Sequence, residues 1–501
     1  MTADIASGAA SIDQLATHGA AHCPDRAAIV VPGRGAVTYG ELDARVSAFA
    51  RTLHDRGAAP GDRLVLANGN TPEMFVALLG AARAGLTAIP IDSGLTATEL
   101  ANVLAHVDPH AVIVDGASAR VFAPLGAALL EVPADTPAPA ASPPAVVSDA
   151  PALVLYTSGT TGTPRGAMHS HAGILAKVRA IASWFGLGDG DSALCMLPTH
   201  FGHGLVCSCL TTLSYTGTLV LCRPFDLELL PRVFALADEY RVTTFSSVPT
   251  IIRLLLRNPA IAPPRAGRLA FVTCASAPLH PEDIAGFESR FGVPLLNCYG
   301  LTEAGTWSAL SPNAPDRDRR SIGTATGCRM RAVSTDESSA PLPPGEIGEL
   351  QIAGPSVMLG YRDDPEATAR VLRDGWLATG DLGSVDEAGR VFLAGRIKDL
   401  IIRAGANIYP AEVERRLLAH PEVAEAYVLG IEHAVLGEQV AACVVRRPAA
   451  TVSDRDLVQF CREVLAAYKC PERIVFVEAV AKTSRGKVNR AGLRSLLAER
   501  R

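Results

Sequence analysis

Helical and strand-like patterns alternate along the first part of the chain. Apolar residues recur at helical spacing over residues 39–54 and 73–84, and short apolar runs at 63–67 and 87–91 are typical of buried strands. Because strands that alternate with helices form parallel sheets covered by those helices, the pattern predicts an α/β fold. A run of Pro, Ala, Ser and Thr at 133–147 cannot bury enough apolar surface to fold, so it predicts a surface connection between two such layers.

The pattern changes in the second half of the chain. Residues 345–361 alternate like strands and are rich in glycine, which predicts a small β subdomain. A smaller α+β unit follows, with helices predicted over 411–419 and 453–467. We therefore predict two domains, residues 1–397 and residues 398–501.

Composition and charge narrow the classes of function. The 501 residues include 46 basic and 51 acidic side chains, giving a net charge of −5 without blocks of like charge, so we expect neither nucleic acid nor acidic membranes as partners. The uncharged stretch 193–222 is interrupted by Pro198 and several glycines, which favours a buried strand and helix pair over a transmembrane segment. No secretory signal is evident, and eleven irregularly spaced cysteines are typical of reduced thiols. A cytoplasmic location is therefore predicted.

The strongest chemical signal is a loop of glycines and hydroxyl side chains that follows an apolar run. Glycine lets backbone N–H groups approach phosphate oxygens closely, and the hydroxyls add hydrogen-bond donors. Arg165 adds a charged guanidinium group that can donate two parallel hydrogen bonds. The loop consists of Thr157, Ser158, Gly159, Thr160, Thr161 and Gly162. It is not a Walker A sequence, because Gly-Lys-Ser/Thr is missing at the required spacing. These residues predict a polyphosphate-binding loop.

Four further segments with residues suited to nucleotide binding or catalysis follow the loop towards the carboxyl terminus. They are Ala-Ser-Ala-Pro at 275–278, Asn-Cys-Tyr-Gly-Leu-Thr-Glu at 297–303, Leu-Ala-Thr-Gly-Asp at 377–381 and Lys-Thr-Ser-Arg-Gly-Lys-Val-Asn-Arg at 482–490. With the loop, they resemble the adenylate-forming superfamily of acyl-CoA synthetases, stand-alone adenylation domains and luciferases, most of all aryl-acid CoA ligases. The resemblance spans essentially the whole chain. It implies a large N-terminal domain of two helix-covered β-sheet layers plus a small distorted β-barrel, followed by a small mobile α+β C-terminal domain.

The resemblance also implies roles for single residues in nucleotide binding. Tyr299 would stack on adenine, Thr302 would contact phosphate, and Glu303 would bind Mg²⁺. Asp381 would hold the ribose hydroxyls, with Arg396 nearby. The remaining nucleotide-binding residues that it implies are Ala275, Ser276, Ala277, Pro278, Asn297, Cys298 and Gly300.

Lys487 is the principal catalytic candidate, together with Glu303, Thr302 and Arg165. By resemblance, its ammonium group would bridge the carboxylate and the α-phosphate during adenylation. Lys398 matches the hinge residue about which the C-terminal domain would rotate between the two half-reactions, and Gly405 would then allow close passage of a thiol-bearing arm.

The resemblance implies ATP, Mg²⁺ and coenzyme A as cofactors and a small carboxylic acid as substrate. No carrier-attachment sequence occurs in the chain, so the acyl acceptor is expected to be a separate molecule, which leaves coenzyme A, an acyl carrier protein or an amine. A non-catalytic ATP-binding relative would have lost the phosphate loop or Lys487, and this chain retains both. The oligomeric state stays open.

Residues expected to line the acid pocket carry little charge. Phe201 matches a position where domains that activate amino acids usually have Asp, and an aromatic ring cannot neutralise a buried ammonium group. The predicted pocket residues are Phe201, His203, Phe245, Val248, Leu301 and Trp307. They favour an aryl or medium-sized organic acid. His169 and His171 lack a third ligand, so zinc is not expected there.

Overall fold

The structure is a computed structural model that describes most of the chain and divides it into two compact units. The described residues are 9–133, 147–157, 165–265, 267–336, 339–404, 406–480 and 488–499. The larger unit comprises Met1–Met330 and Ile352–Leu377, and the smaller one comprises Arg331–Gln351 and Ala378–Arg501. The predicted boundary between residues 397 and 398 stays a prediction. The predicted connection at 133–147 lies almost entirely outside the described residues.

Two large sheets organise the larger unit, and both are mainly parallel. Antiparallel strands lie at both edges of the nine-stranded sheet and at one edge of the seven-stranded sheet. The nine-stranded sheet has the order Thr324–Ala325, Thr306–Leu310, Leu295–Leu301, Phe271–Cys274, Thr244–Ser247, Ser192–Cys195, Thr218–Leu221, Ala27–Val31 and Gly35–Thr38. The seven-stranded sheet has the order Gly360–Tyr361, Arg165–Ser170, Pro151–Thr157, Thr87–Pro90, Arg63–Leu66, Ala111–Ile113 and Leu129–Leu130. The prediction of two helix-covered sheet layers is confirmed.

The helices of this unit begin where the sequence supplies caps. The Thr38 side chain accepts a hydrogen bond from the Glu41 N–H, and the Glu41 carboxylate accepts one from the Thr38 N–H, so a capping box starts the helix Tyr39–Asp55. The α-helices are Gln14–His22, Tyr39–Asp55, Pro72–Arg83, Ala97–Val107, Ser118–Phe122, His171–Phe185, Thr211–Ser214, Val233–Glu239, Pro249–Arg257, Pro281–Phe291 and Pro365–Val371. A π-helix spans His203–Leu210.

The core of the larger unit contains a fully embedded helix. Met74 to Arg83 of the helix Pro72–Arg83 are all buried. Its last residue, Arg83, is 6% exposed and pairs with Asp13 at 3.0 Å and Asp43 at 2.6 Å, so its charge is compensated inside the protein. The uncharged stretch 193–222 also lies in this core, as predicted, but it forms two strands with helices between them where one strand and one helix were expected.

A five-stranded sheet contains only part of the predicted small β subdomain 345–361, because Gly348–Ala353 belongs to it whereas Gly360–Tyr361 pairs in the seven-stranded sheet. Its strands are Arg329–Val333, Gly348–Ala353, Leu372–Arg373, Trp376–Val385 and Val391–Arg396. Within the smaller unit, Asp381 of one strand stands opposite Arg396 of the neighbouring antiparallel strand.

The remainder of the smaller unit is a second five-stranded sheet with helices, as the α+β prediction requires. Its strands are Ile401–Arg403, Ala406–Ile408, Val423–His433, Gly437–Arg446 and Arg473–Val477, and its helices are Pro410–Leu418, Asp454–Arg462 and Arg490–Glu499. The predicted helix 453–467 ends five residues early, at Arg462. The chain continues through the exposed Val464 into a short 3₁₀ turn, Ala467–Lys469, ahead of Pro471. Among the described residues, no helix combines the length and apolar character needed to cross a bilayer.

Candidate active site

The predicted phosphate loop connects two strands that pair with each other. The strand Pro151–Thr157 ends at the loop, and the strand Arg165–Ser170 returns beside it in antiparallel register, with Thr157 opposite Arg165. The loop therefore joins two neighbouring strands of the seven-stranded sheet. Most predicted loop residues lie outside the described part of the chain, namely Ser158, Gly159, Thr160, Thr161 and Gly162.

Arg165 and Glu303 meet through a tyrosine that the sequence analysis missed. The Tyr361 hydroxyl donates a hydrogen bond to Glu303 Oε1 at 2.8 Å, and the Arg165 guanidinium lies 5.5 Å from the centre of the Tyr361 ring. Arg165 Nε is also 3.5 Å from Asp364 Oδ2. Burial and the Glu303 carboxylate raise the pKa of Tyr361, so its hydroxyl remains a donor at neutral pH. The loop arginine and the predicted metal ligand thus share one cluster.

Glu303 is held in a conformation suited to a cation ligand. It lies in a 3₁₀ turn, Thr302–Ala304, which Gly305 ends with φ of 68°. The Met358 N–H donates to the Glu303 carbonyl at 2.8 Å, which fixes the turn from the other side. Oε1 accepts from Tyr361, whereas Oε2 accepts no hydrogen bond from the described residues. A partly exposed carboxylate with one oxygen oriented and the other available fits Mg²⁺, which binds carboxylate and phosphate oxygens together.

The strand that leads to Glu303 contains the predicted adenine residue. Asn297, Cys298 and Tyr299 are buried in the strand Leu295–Leu301. Gly300 is required there by packing, since a Cβ atom at this position would lie 1.8 Å from the Thr306 carbonyl oxygen. The stacking of Tyr299 on adenine stays a prediction.

A chain of four polar side chains connects the Ala-Ser-Ala-Pro segment to the sheet. The Thr273 hydroxyl donates to Ser246 Oγ at 3.0 Å, Ser246 Oγ is 2.6 Å from His203 Nε2, and His203 Nδ1 is 2.9 Å from Ser276 Oγ. Burial lowers the pKa of His203 to about 3, so the ring is neutral and has one donor and one acceptor nitrogen. Ser276 has φ of 75°, a conformation that this hydrogen bond helps to hold. Ala275 is buried, whereas Ser276, Ala277 and Pro278 are exposed.

The predicted acid-pocket residues are only partly brought together. Trp307 packs edge-on against His203 with ring centres 5.2 Å apart, and Phe201 packs similarly against His200 at 4.1 Å. Phe245 and Trp307 line a cavity of about 30 Å³, which has room for a small group. Val248 directly precedes the helix Pro249–Arg257, and Leu301 ends the strand before Thr302. Their contact with an acid stays a prediction.

The remaining predicted site residues belong to the smaller unit. Asp381 is 6% exposed, and its Oδ1 is 2.8 Å from Arg396 Nε. It lies inside the strand Trp376–Val385 directly after Gly380, whose φ is 69°. Lys398 is exposed in the 3₁₀ turn Ile397–Asp399, and the next residue, Asp399, pairs with Arg490 at 3.6 Å. Gly405 and Lys487 lie outside the described residues.

Two buried histidines beside the phosphate-loop strands make stability depend on pH. Burial lowers the pKa of His169 and that of His171 from 6.5 to about 4. Both rings stay neutral in the folded protein, whereas the unfolded chain binds protons below pH 6.5. The free energy of unfolding is therefore highest above pH 6.5 and falls as the pH drops toward 4. At pH 5 each ring lowers it by about 2 kcal/mol relative to neutral pH.

We expect that in His171→Gln the free energy of unfolding falls by about 2 kcal/mol less between neutral pH and pH 5 than in the wild type, because one of the two buried rings is gone. His171 Nδ1 lies 3.2 Å from Ser11 Oγ, a bond that glutamine can retain. The measurement is the free energy of unfolding in urea at pH 7.5 and pH 5, with His54→Gln as a control at an exposed position. Equal pH dependence in the wild type and His171→Gln would contradict the assignment.

In the part of the chain that the structure describes, no three His, Cys, Asp or Glu side chains cluster as a protein-built metal site would require. A cation at Glu303 would therefore depend on oxygens supplied by the nucleotide. A sequence of glycines and hydroxyl residues between two paired strands, an arginine at its end and an oriented carboxylate fit an α/β enzyme that activates its substrate with a nucleotide.

Comparison with known proteins identifies the family. Residues 16–362 match the model of the AMP-binding enzyme family, and residues 412–487 match that of the AMP-binding enzyme C-terminal domain. The chain belongs to the AMP-binding enzyme family. The predicted class, an acid–thiol ligase that forms AMP and uses ATP, Mg²⁺ and coenzyme A, is confirmed at the level of this family.

The relatives of the chain are named for different acids. The chain is 35% identical to sulfoacetate–CoA ligase of Cupriavidus necator, with 95% of each chain covered. It is 34% identical to feruloyl-CoA synthase of Amycolatopsis sp, with 92% of this chain and 94% of the relative covered. The crystal structure of ATP-bound MatB from Rhodopseudomonas palustris superposes with a TM-score of 0.89 at 30% identity, covering 98% of this chain and 99% of MatB. The family resemblance and the fold prediction are thereby confirmed.

Proposed function

We propose that this protein converts an organic acid into its acyl adenylate and then into its coenzyme A thioester. In the first step a carboxylate oxygen of the acid attacks the α-phosphorus of ATP, the bond from that phosphorus to the β-phosphate bridging oxygen breaks, and pyrophosphate leaves. In the second step the sulfur of coenzyme A attacks the acyl carbon, AMP leaves with the bonding electrons, and the thiol proton passes to solvent. Sulfoacetate and feruloyl-CoA ligases as relatives support this two-step course.

The observation that most supports the proposal is the cluster of Arg165, Tyr361 and Glu303 beside the phosphate loop. Arg165 would hold phosphate oxygens, and Tyr361 would orient the Glu303 carboxylate. Mg²⁺, when bound, would neutralise charge on the phosphates. Thr302 would donate a hydrogen bond from the same turn.

The other site residues keep their predicted roles within this proposal. Tyr299 would stack on adenine, Asp381 would bind the ribose hydroxyls, and Lys487 would stabilise charge during adenylation. Lys398 would serve as the hinge between the two half-reactions. A cytoplasmic location and a mobile C-terminal domain of residues 398–501 belong to the same proposal.

The test is a substrate panel with two readouts. Purified protein is incubated with ATP, Mg²⁺ and short dicarboxylic, sulfonated, benzoic, cinnamic, fatty and amino acids, with and without coenzyme A. We expect acid-dependent pyrophosphate release for one class of acid and an acyl-CoA, identified by mass, only when coenzyme A is present. If the acyl adenylate forms but no thioester is found, the acyl acceptor would be a carrier protein or an amine and not coenzyme A. Absence of pyrophosphate release with every acid would contradict the proposal.

A further inference from the structure

Two residues in or beside the predicted ATP-binding segments have an unusual backbone conformation. Ser276 in the Ala-Ser-Ala-Pro segment has φ of 75°, and Thr306, three residues after Glu303, has φ of 84°. The other positive φ angles of non-glycine residues in the described part of the chain lie between 47° and 64°, near the ordinary left-handed value. A side chain with a Cβ atom is strained at larger angles, above all a β-branched one. Such strain persists only where surrounding contacts hold the residue, and it is common at active sites.

Both strained residues are hydrogen-bonded to the same element, the π-helix His203–Leu210. His203 Nδ1 lies 2.9 Å from Ser276 Oγ, and Cys207 Sγ lies 2.7 Å from Thr306 Oγ1. His203 and Cys207 are four residues apart, which is about one turn of the helix. Helices of the π type are rare and frequently occur at functional sites. The π-helix therefore connects two segments that are 30 residues apart in sequence.

The His203 ring uses both of its nitrogens for contacts inside the protein. The ring is neutral, so one nitrogen donates and the other accepts. Nδ1 faces the Ser276 hydroxyl, and Nε2 lies 2.6 Å from Ser246 Oγ. Because a hydroxyl can donate or accept, both nitrogens are engaged whichever one carries the proton. The ring thus keeps no polar atom free for an acid, and its contacts are those of a residue that holds the Ala-Ser-Ala-Pro segment.

Thr306 is held by a hydrogen bond and by close packing. Burial raises the pKa of Cys207 to about 12, so its thiol stays protonated beside the Thr306 hydroxyl. A Cβ atom at Gly202, directly before the π-helix, would lie 2.3 Å from Thr306 Cγ2. A Cβ atom at Gly300 would lie 1.8 Å from the Thr306 carbonyl oxygen. Because Thr306 lies three residues after Glu303, its backbone conformation helps to set the position of that carboxylate.

We propose that the π-helix positions both predicted ATP-binding segments for the nucleotide. His203 holds the Ala-Ser-Ala-Pro segment through Ser276. Cys207 holds the turn of Glu303 through Thr306. Both are positioning residues, which act through the strained backbone and need not touch ATP. The inference rests on the proposed acid–CoA ligase function and deepens its ATP-binding step: without these hydrogen bonds the strained residues relax, and part of the binding free energy of ATP is used to restore them.

The test replaces His203 with two amides that retain different hydrogen bonds. The amide of asparagine lies near the position of Nδ1 and that of glutamine near the position of Nε2, so His203→Asn can keep the bond to Ser276 and His203→Gln the bond to Ser246. Binding of ATP with Mg²⁺ is measured by calorimetry on the full chain without an acid. We expect His203→Gln to raise the Kd for ATP about tenfold and His203→Asn to raise it about threefold or less.

Glycine at position 276 provides an independent measurement, because glycine adopts φ of 75° without strain. In the Ser276→Gly background the bond to His203 is no longer needed. His203→Gln should then change the Kd for ATP by about twofold or less relative to Ser276→Gly alone. A loss that stays tenfold in this background would mean that His203 acts by packing or by direct contact with the nucleotide, and it would overturn the inference.

The Cys207 contact is tested by a matched pair of substitutions. Cys207→Ala removes the hydrogen bond to Thr306 and should raise the Kd for ATP about fivefold to tenfold, whereas Cys207→Ser keeps a donor and should raise it less. Cys209→Ala is the control, since it removes a buried thiol from the same helix whose partner is Cys195, and it should leave the Kd unchanged.

The remaining outcomes separate this inference from the ligase function. Melting temperatures show whether each variant is folded, and if a His203 variant is not, the Cys207 pair still decides. Equal losses in both His203 variants, or an unaltered Kd in His203→Gln and Cys207→Ala, would overturn the inference while leaving the ligase function intact. If the wild-type protein does not bind ATP, the ligase function itself fails.

Discussion

Replacing Lys487 with alanine is expected to reduce acid-dependent pyrophosphate release by about a hundredfold to a thousandfold, while thioester formation from a presynthesised acyl adenylate is spared. As the carboxylate attacks the α-phosphorus, negative charge builds up on the phosphoryl and attacking oxygens. An ammonium group positioned at these oxygens stabilises the transition state more than the ground state, and a single such contact has an effect of this size. The second half-reaction has no α-phosphate to attack, so it does not need this charge.

The measurement separates the half-reactions. Pyrophosphate release with ATP and the acid reports the first step, and acyl-CoA formation from the synthetic adenylate reports the second. Lys482→Ala is the matched control, because it removes the same charge from the same segment five residues earlier. Equal loss of both half-reactions in Lys487→Ala would contradict its assigned role and indicate a general structural one.

The parts of the site that the sequence predicts are those formed by residues close together in the chain. The phosphate loop and the turn with Glu303 each follow directly from an apolar strand, so local pattern and chemistry are sufficient to find them. Both sheet layers were likewise predictable, because each helix and strand has its own periodicity and several helices have recognisable caps.

Residues that act through tertiary pairing could not be found in this way. Tyr361 reaches Glu303 only because its short strand pairs with the strand Arg165–Ser170 far from it in sequence. Cys207 is one of eleven irregularly spaced cysteines until the structure shows its thiol hydrogen-bonded to a strained residue just after the turn with Glu303. The one weak signal for Tyr361 is that it directly follows Gly360 at the end of the strand-like stretch 345–361. Burial and pairing are properties of the whole fold, which single-sequence patterns do not contain.

Two substitutions in the cluster of Arg165, Tyr361 and Glu303 are expected to reduce pyrophosphate release by different amounts. Glu303→Gln keeps the size of the side chain but removes the negative charge that would hold Mg²⁺, so we expect pyrophosphate release to fall by about a hundredfold or more. Tyr361→Phe removes only the 2.8 Å hydrogen bond that orients the carboxylate, and we expect a loss of about tenfold. Both variants retain the packing of the native side chains.

The dependence on Mg²⁺ distinguishes a metal ligand from a structural carboxylate. If Glu303 binds the cation, the Mg²⁺ concentration for half-maximal activity should rise strongly in Glu303→Gln and slightly in Tyr361→Phe, and added Mg²⁺ should restore part of the activity in both. Glu366→Gln is the control, since this carboxylate is 88% exposed and should leave the Mg²⁺ dependence unchanged. An unaltered Mg²⁺ dependence together with a large loss of activity in Glu303→Gln would mean that the carboxylate acts through Tyr361 and Arg165 on the phosphate loop, and that the cation is held by the nucleotide alone.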